Sequence, residues 1–428
     1  MKPRILLVNP PIYDFAAYDF WLKPYGMLSA AGKLRGKADF ALFDYIDRQH
    51  PSIAGKKQYK SDRWGRGTFY FEKIPNPDCL VDIPRYYRRF GLPRAMFEEF
   101  LRDEKPFDFA LIQTTMTYWY LGVQEVIEDI RKFHPNTKII LGGNYATLCR
   151  SHAETIGADL VISGINLEPL WKYMNITPDP KQPALWESYK ILKTGVLKLT
   201  DGCPFNCTYC SVQKVYGKFK PRHIEHSFAE LEFMCNLGAK NIAFYDDALL
   251  YKPEEILVPF LEKVITKKIK VNLHTPNALN ARFITSELAN IMVRGGFKTF
   301  YLGFESSSAK WQKQTGSKVF SQELAQAVEH LKNAGANLKD ITAYQIIGHP
   351  NSDMQELEES MHFVHSLGIR GMLADFSPIP GTPDGEACRN MINLDEPLMH
   401  SKTAFPIIML GFDETNRLKD LQRHLNRN

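Results

Sequence analysis

Short apolar runs alternate with helical stretches twice along this chain, and that alternation leaves few architectures open. In the first 175 residues the strand-like runs are 4–9 (RILLVN), 40–44, 109–113, 138–141 and 159–163. Helical stretches at 26–35, 123–133, 151–156 and 168–174 separate them. Apolar strands joined through helices imply a parallel sheet covered on both faces, a doubly wound α/β layer. Such sheets bind ligands at the carboxyl ends of their strands, where Gly142, Gly143 and Gly164 fall. Residues 45–105, rich in Pro, Tyr and Arg, show little periodicity and read as an insertion or lid carrying Trp64, Phe69, Tyr70, Phe71, Tyr86 and Tyr87.

After a proline-rich linker at 177–187 the alternation resumes, with runs at 196–200, 241–245, 270–273, 298–303, 338–347 and 371–376. Six β/α units are too few for a closed eight-fold barrel, so a partial, open (β/α)6 barrel is expected. The tail, 386–428, holds the apolar segment AFPIIML and a basic amphipathic helix with Leu418, Leu421 and Leu425, read as a cap on the barrel. At 428 residues the chain exceeds one ordinary core. The expected division is 1–176, 188–385 and a C-terminal extension from 386.

Composition narrows the setting. A net charge of +5 with no long Lys/Arg run predicts no nucleic-acid partner. No stretch approaches the ~18–20 apolar residues of a membrane span, and RILLVNPP is too short for a secretory signal. Seven cysteines, an odd and mostly scattered set, point to a reducing cytoplasm and not to a disulfide framework.

Three of those cysteines are not scattered. Cys203, Cys207 and Cys210 stand in CPFNCTYC, directly after the first strand of the second half. Thiolates suit iron–sulfur clusters and zinc, but a structural zinc site is closed by four ligands. Three thiolates on one short loop fit a [4Fe–4S] cluster that keeps one iron open. Cys79, Cys149, Cys235 and Cys388 stand alone and read as small buried hydrophobes.

With Tyr209 as the aromatic, CPFNCTYC resembles the loop of the radical SAM superfamily. The resemblance implies that S-adenosylmethionine (SAM) chelates the open iron. Its reductive cleavage would then yield a 5′-deoxyadenosyl radical. Further matches follow in order: Asp246 and Asp247 in AFYDDALL, His274 in LHTPNALN, Glu305 and Ser306 in YLGFESSS, then IIGHPNSD and FSPIPGTP. The resemblance implies that Tyr209, Asp246, Asp247, His274, Glu305 and Ser306 hold SAM, with either aspartate facing its amino group. A helix N-cap is the alternative role for those aspartates.

The first half, through LLVNPP, PYGMLSAAGKLR, TTMTYWYLGVQ, IILGGNYATL and GADLVISG, resembles the cobalamin-binding class of that superfamily. In that class Thr114, Thr115, Gly142, Gly143 and Gly164 would approach the corrin. The motif D-x-H-x-x-G is absent, since none of His50, His134 or His152 has Gly three residues later. The implied reaction is cobalamin-dependent methylation of an unactivated carbon in a small-molecule or lipid-like substrate, with flavodoxin or ferredoxin as reductant. Alternatives are a cobalamin-independent rearrangement or carbon–carbon coupling, a methylthiotransferase, and a non-catalytic iron–sulfur protein.

Overall fold

The five apolar runs of the first half pair as one parallel sheet in a computed structural model that describes residues 2–53, 60–316 and 318–427. Its strands are β1 (Arg4–Asn9), β2 (Asp39–Asp44), β3 (Phe109–Thr114), β4 (Lys138–Gly143) and β5 (Leu160–Ile162), in the order β5-β4-β3-β1-β2. The alternation of side chains along β1 divides two cores. Leu6 and Val8 pack with Phe97, Val126 and Ile130 on one face. Ile5 and Leu7 pack with Met27 and Leu28 on the other, in a core continuous with Trp186, Leu231 and Phe260 of the second half. The linker is therefore not loose: Trp186 is fully buried and donates its indole N–H to Glu230 at 2.9 Å.

The second sheet is also parallel, with β6 (Thr194–Leu197), β7 (Asn241–Phe244), β8 (Asn272–Asn280), β9 (Phe297–Glu305), β10 (Ile341–Ile347) and β11 (Arg370–Asp375) in sequential order. Helices such as Ile224–Asn236, Ser286–Arg294 and Ser321–Asn333 join consecutive strands, which makes it an open six-stranded barrel. The third strand reaches Asn280, beyond the expected 273, because its register slips between Thr275 and Leu279. That irregularity accommodates Pro276, which cannot donate to a regular ladder.

The insertion is more ordered than its sequence suggested. Antiparallel strands Ile12–Asp14, Tyr87–Phe90 and Phe71–Ile74 form a small sheet. Helix Arg94–Asp103 buries Phe97 and Leu101. Arg89 and Glu125 pair at 2.6 Å with both side chains about 5% exposed, and Arg94 grips Asp129 at 2.7 Å. Phe69 and Tyr87 pack the insertion itself, while Trp64 leans on His274 of the barrel at 5.5 Å. Residues 54–59 of this segment lie outside the described residues. Among the described residues no helix is long and apolar enough to cross a membrane.

Helix Phe412–Leu425 covers the last barrel strand, burying Leu418 and Leu425 with Ile347, Leu357 and Met361. Just past its end, Asn426 accepts from the Gly371 N–H and donates to the Gly371 carbonyl, both at 2.9 Å. This side chain closes part of an edge that would otherwise offer unpaired backbone groups. Asn426→Ala is expected to cost about 1–2 kcal/mol, the net worth of two hydrogen bonds, read as a lower urea midpoint at unchanged slope.

Candidate active site

The cysteine loop is pinned at both ends. Before it, Thr200–Asp201 pairs antiparallel with Lys220–Pro221. Asp201 takes two bonds from Arg222, each 2.8 Å, and one from Lys198 at 3.1 Å. Burial would raise its pKa, but these cations hold the carboxyl down at about 2. After the loop, the Gln213 amide donates to the carbonyls of Cys203 (3.2 Å) and Phe205 (2.9 Å), gathering the turn from within.

The three thiols lie close enough to feel one another's charge. Burial pushes all three up, Cys210 to about 12. One cation, Lys318, opposes the rise at every one of them. Its Nζ is 2.8 Å from Glu305 Oε1, and both side chains are largely buried. It lies against Gly303, where a Cβ would come within 2.5 Å of Nζ. Glu305 has φ +68°, a conformation costly for a side chain with a Cβ, at a slip in register between β9 and β10. Strain of this kind persists where surroundings over-determine it, and it clusters at ligand sites. The Tyr209 ring stacks on Trp311 at 6.1 Å.

Asp246 and Asp247 follow β7. Asp246 Oδ1 accepts from the N–H groups of Leu199 (2.8 Å) and Thr200 (2.6 Å) and from the Thr200 hydroxyl (2.7 Å). Its Oδ2, and Oδ2 of Asp247, are buried without a partner. Burial raises both carboxyls to about 6, and Asp247 acts on the Cys203 thiol. Two buried orphan acceptors beside the loop are an incomplete arrangement, since such groups normally find donors. They fit a cationic ligand.

Ser306 follows Glu305, and its Oγ accepts from the Ser308 N–H at 3.1 Å. His274, expected to hold SAM, lies on β8. Its side chain is fully buried near the start of β8, with Nδ1 3.0 Å from the Thr299 hydroxyl and Nε2 3.1 Å from Asn241 Oδ1. The ring stacks on Trp21 at 4.3 Å, and burial lowers its pKa to about 3. A neutral histidine with both nitrogens occupied has no atom left for a ligand.

At the carboxyl end of the first sheet, Gly143 has φ +116°, and a Cβ there would lie 2.0 Å from the Thr114 carbonyl. The Thr114 hydroxyl is committed to the fold, donating to the Gly142 carbonyl and accepting from Ala146 N–H, both at 3.1 Å. The Gly164 N–H donates to Thr147 Oγ1 at 2.8 Å, whereas Thr115 lines a crevice with Pro10, Ile46, Met116 and Trp119. Tyr216, on the helix that follows the cysteines, donates to Asn144 Oδ1 at 3.2 Å. The carboxyl end of the first sheet therefore abuts the cysteine region. Lys318 and Gln213 escaped the sequence reading, because a lysine and a glutamine outside any motif carry no signal of their own.

Residues 197–364 match the family model of the radical SAM superfamily. An uncharacterized methyltransferase of Pyrococcus horikoshii is 27% identical over 220 residues, 50% of this chain and 47% of the relative. The threonylcarbamoyladenosine tRNA methylthiotransferase MtaB of Thermotoga maritima is 24% identical over 286 residues, 61% of this chain and 64% of that protein. The chain thus spans about half to two thirds of these relatives' lengths. Among solved structures, the radical SAM methyltransferase TsrM from Kitasatospora setae, with cobalamin and a [4Fe–4S] cluster bound, superposes with a TM-score of 0.67. Identity is 13%, over 98% of this chain and 91% of that one. The cobalamin-dependent radical enzyme OxsB superposes at 0.58 with 13% identity, over 99% of this chain and 61% of its own. At such identities the likeness is one of fold, a doubly wound sheet followed by an open six-stranded barrel.

Proposed function

We propose, from the match of residues 197–364 to the radical SAM superfamily model, that the chain is a SAM-dependent radical methyltransferase acting on an unactivated carbon. The observation that carries this reading is the convergence of three soft thiols, one buried cation and two orphan carboxylate oxygens at one end of the barrel. Cys203, Cys207 and Cys210 would hold a [4Fe–4S] cluster, which when bound supplies the electron that cleaves SAM to a 5′-deoxyadenosyl radical.

The chain's own residues bind and orient. Asp247 would receive the SAM ammonium, since its Oδ2 has no partner and its charge acts on Cys203. Lys318 would face the carboxylate of SAM, held in place by its ion pair with Glu305. Tyr209, stacked on Trp311, and Ser306 would lie against the bound SAM. A cobalamin would rest against Thr115, Gly142, Gly143 and Gly164, with the Thr114 hydroxyl shaping the turn. Residues 1–176, 188–385 and 386–428 would be the corrin-binding domain, the radical barrel and its extension. A small-molecule substrate, a flavodoxin- or ferredoxin-like reductant and a cytoplasmic setting belong to this reading. A methylthiotransferase is disfavoured because only Cys79 and Cys149 precede the loop, too few to hold a second cluster by three thiolates.

Anaerobic reconstitution tests the proposal. About four irons per chain and reductive formation of 5′-deoxyadenosine are expected, together with corrinoid absorption when cobalamin is supplied. Zinc in place of iron, or a cluster indifferent to SAM, overturns it. A pH profile tests the aspartates. Asp246 and Asp247 are raised to about 6, so both are ionised above that pH and protonate below it. Affinity for S-adenosylhomocysteine is expected to hold from pH 7 to 8 and to fall up to about tenfold per unit below pH 6. Asp247→Asn should flatten that fall, as read by equilibrium dialysis.

A further inference from the structure

Thr208 lies in the middle of the cysteine loop, between Cys207 and Tyr209, and none of the roles above involves it. Its hydroxyl donates to Asp384 Oδ2 at 2.5 Å, and its carbonyl accepts from the Asp384 N–H at 3.2 Å. The same Oδ2 accepts from His349 Nε2 at 2.9 Å. His349 Nδ1 accepts from the Asn351 N–H at 3.2 Å, which leaves the proton on Nε2. Asp384 is presented by a one-turn helix that Thr382 caps, its Oγ1 accepting from Gly385 N–H at 3.1 Å. The Cys388 thiol donates back to the Asp384 carbonyl at 3.1 Å.

His349 is held edge-on between two rings, Phe376 at 4.8 Å and Trp311 at 5.4 Å. Phe376 in turn packs on Phe405, at 5.6 Å, in the helix Ala404–Leu410. That helix is the AFPIIML segment. A continuous path therefore runs from the centre of the loop to the C-terminal extension, with one carboxylate oxygen as its junction.

We propose that Asp384 is a positioning residue for the cysteine loop. It locks Thr208 in place and ties it, through His349, to the packed C-terminal segment. A short loop with three ligands has few contacts of its own, and a partly buried carboxylate that takes two donors on one oxygen, while its own N–H bonds back to the loop, is a rigid anchor for it. The consequence for a bound cluster rests on the function proposed above; the clamp itself does not.

Two readouts separate them. In the cluster-free chain, amide hydrogen exchange across residues 205–211 reports the clamp alone. Thr208→Val removes one hydroxyl at nearly constant volume and is expected to accelerate that exchange at least about tenfold, the equivalent of 1.4 kcal/mol. Asp384→Ala should do the same, whereas Thr208→Ser and Asp384→Asn, which keep a hydroxyl donor and an acceptor oxygen, should restore protection. In the reconstituted protein, Thr208→Val should alter the electron paramagnetic resonance spectrum of the reduced cluster, and Thr208→Ser should return it to the wild-type form. Wild-type exchange in Thr208→Val overturns the proposal, and that variant decides alone if Asp384→Ala fails to fold. A wild-type chain that takes up no iron overturns the proposed function, while the exchange comparison still judges the clamp.

Discussion

Cys207→Ala is expected to abolish reductive cleavage of SAM, with a loss of about a thousandfold or more, because members of a unit that act together cannot be removed piecemeal. Cys207 is the central thiol electrostatically. Its charge acts on Cys203 and on Cys210. Gly316, just after the helix Ala309–Thr315, lies against it, and a Cβ there would come 3.1 Å from the Cys207 Cα. A Cys→Ala change at a half-buried site costs the fold about 1 kcal/mol, so the variant should retain wild-type circular dichroism. The measurement pairs iron content with 5′-deoxyadenosine formed by anaerobically loaded protein in the presence of dithionite. Full iron and undiminished cleavage would remove Cys207 from the ligand set. Since burial raises all three thiols in the metal-free chain and only deprotonated thiols bind iron, wild-type loading should improve as the reconstitution pH rises from 7 to 8.5. The variant should show no such gain in cleavage.

The strands were legible because they are strongly apolar and both faces are buried. The expected runs 4–9, 109–113 and 138–141 coincide with β1, β3 and β4 to within two residues. The parallel order and the open barrel follow from the alternation with helices. What local pattern could not show is pairing between distant segments. Tyr87–Phe90 lies between Ile12–Asp14 and Phe71–Ile74, partners up to 78 residues apart in the case of Ile12 and Phe90, and none of these strands is apolar enough to announce itself. Helix Arg94–Asp103 did carry a signal, Phe97 and Leu101 four apart on one face, obscured by the prolines and charges around it. The candidate site was legible wherever chemistry forces a spacing, as in the cysteine loop. It was illegible where a residue acts through position alone. His274 shares its segment with family-like residues yet faces the barrel interior with both nitrogens satisfied. Lys318 has no motif and arrives at the thiols only through the course of the chain after β9.

Lys318→Met is expected to produce the second large loss. The lysine is the cation that acts on all three thiols, and it pairs at 2.8 Å with a glutamate only 7% exposed. Burial works against its charge, but Glu305, Cys207 and Cys210 outweigh that cost and raise its pKa above the ordinary lysine value. The ammonium is therefore present throughout the working range. Methionine keeps the length of the side chain and removes the charge, leaving Glu305 buried without a partner in a conformation it already holds at a cost. Removing one partner of a fully buried pair costs about 3–5 kcal/mol; with the lysine 18% exposed, about 2–3 kcal/mol is the corresponding expectation. Affinity for S-adenosylhomocysteine should fall about 100-fold, equivalent to about 2.7 kcal/mol, because its carboxylate loses its counter-charge. The double variant Lys318→Met with Glu305→Gln separates the two effects. Neutralising the orphaned glutamate should recover most of the stability, read by urea unfolding. The affinity should stay low, read by equilibrium dialysis, because nothing then restores the cation. A double variant that binds as tightly as the wild type would show that Lys318 serves only the fold, and the carboxylate of SAM would need another partner.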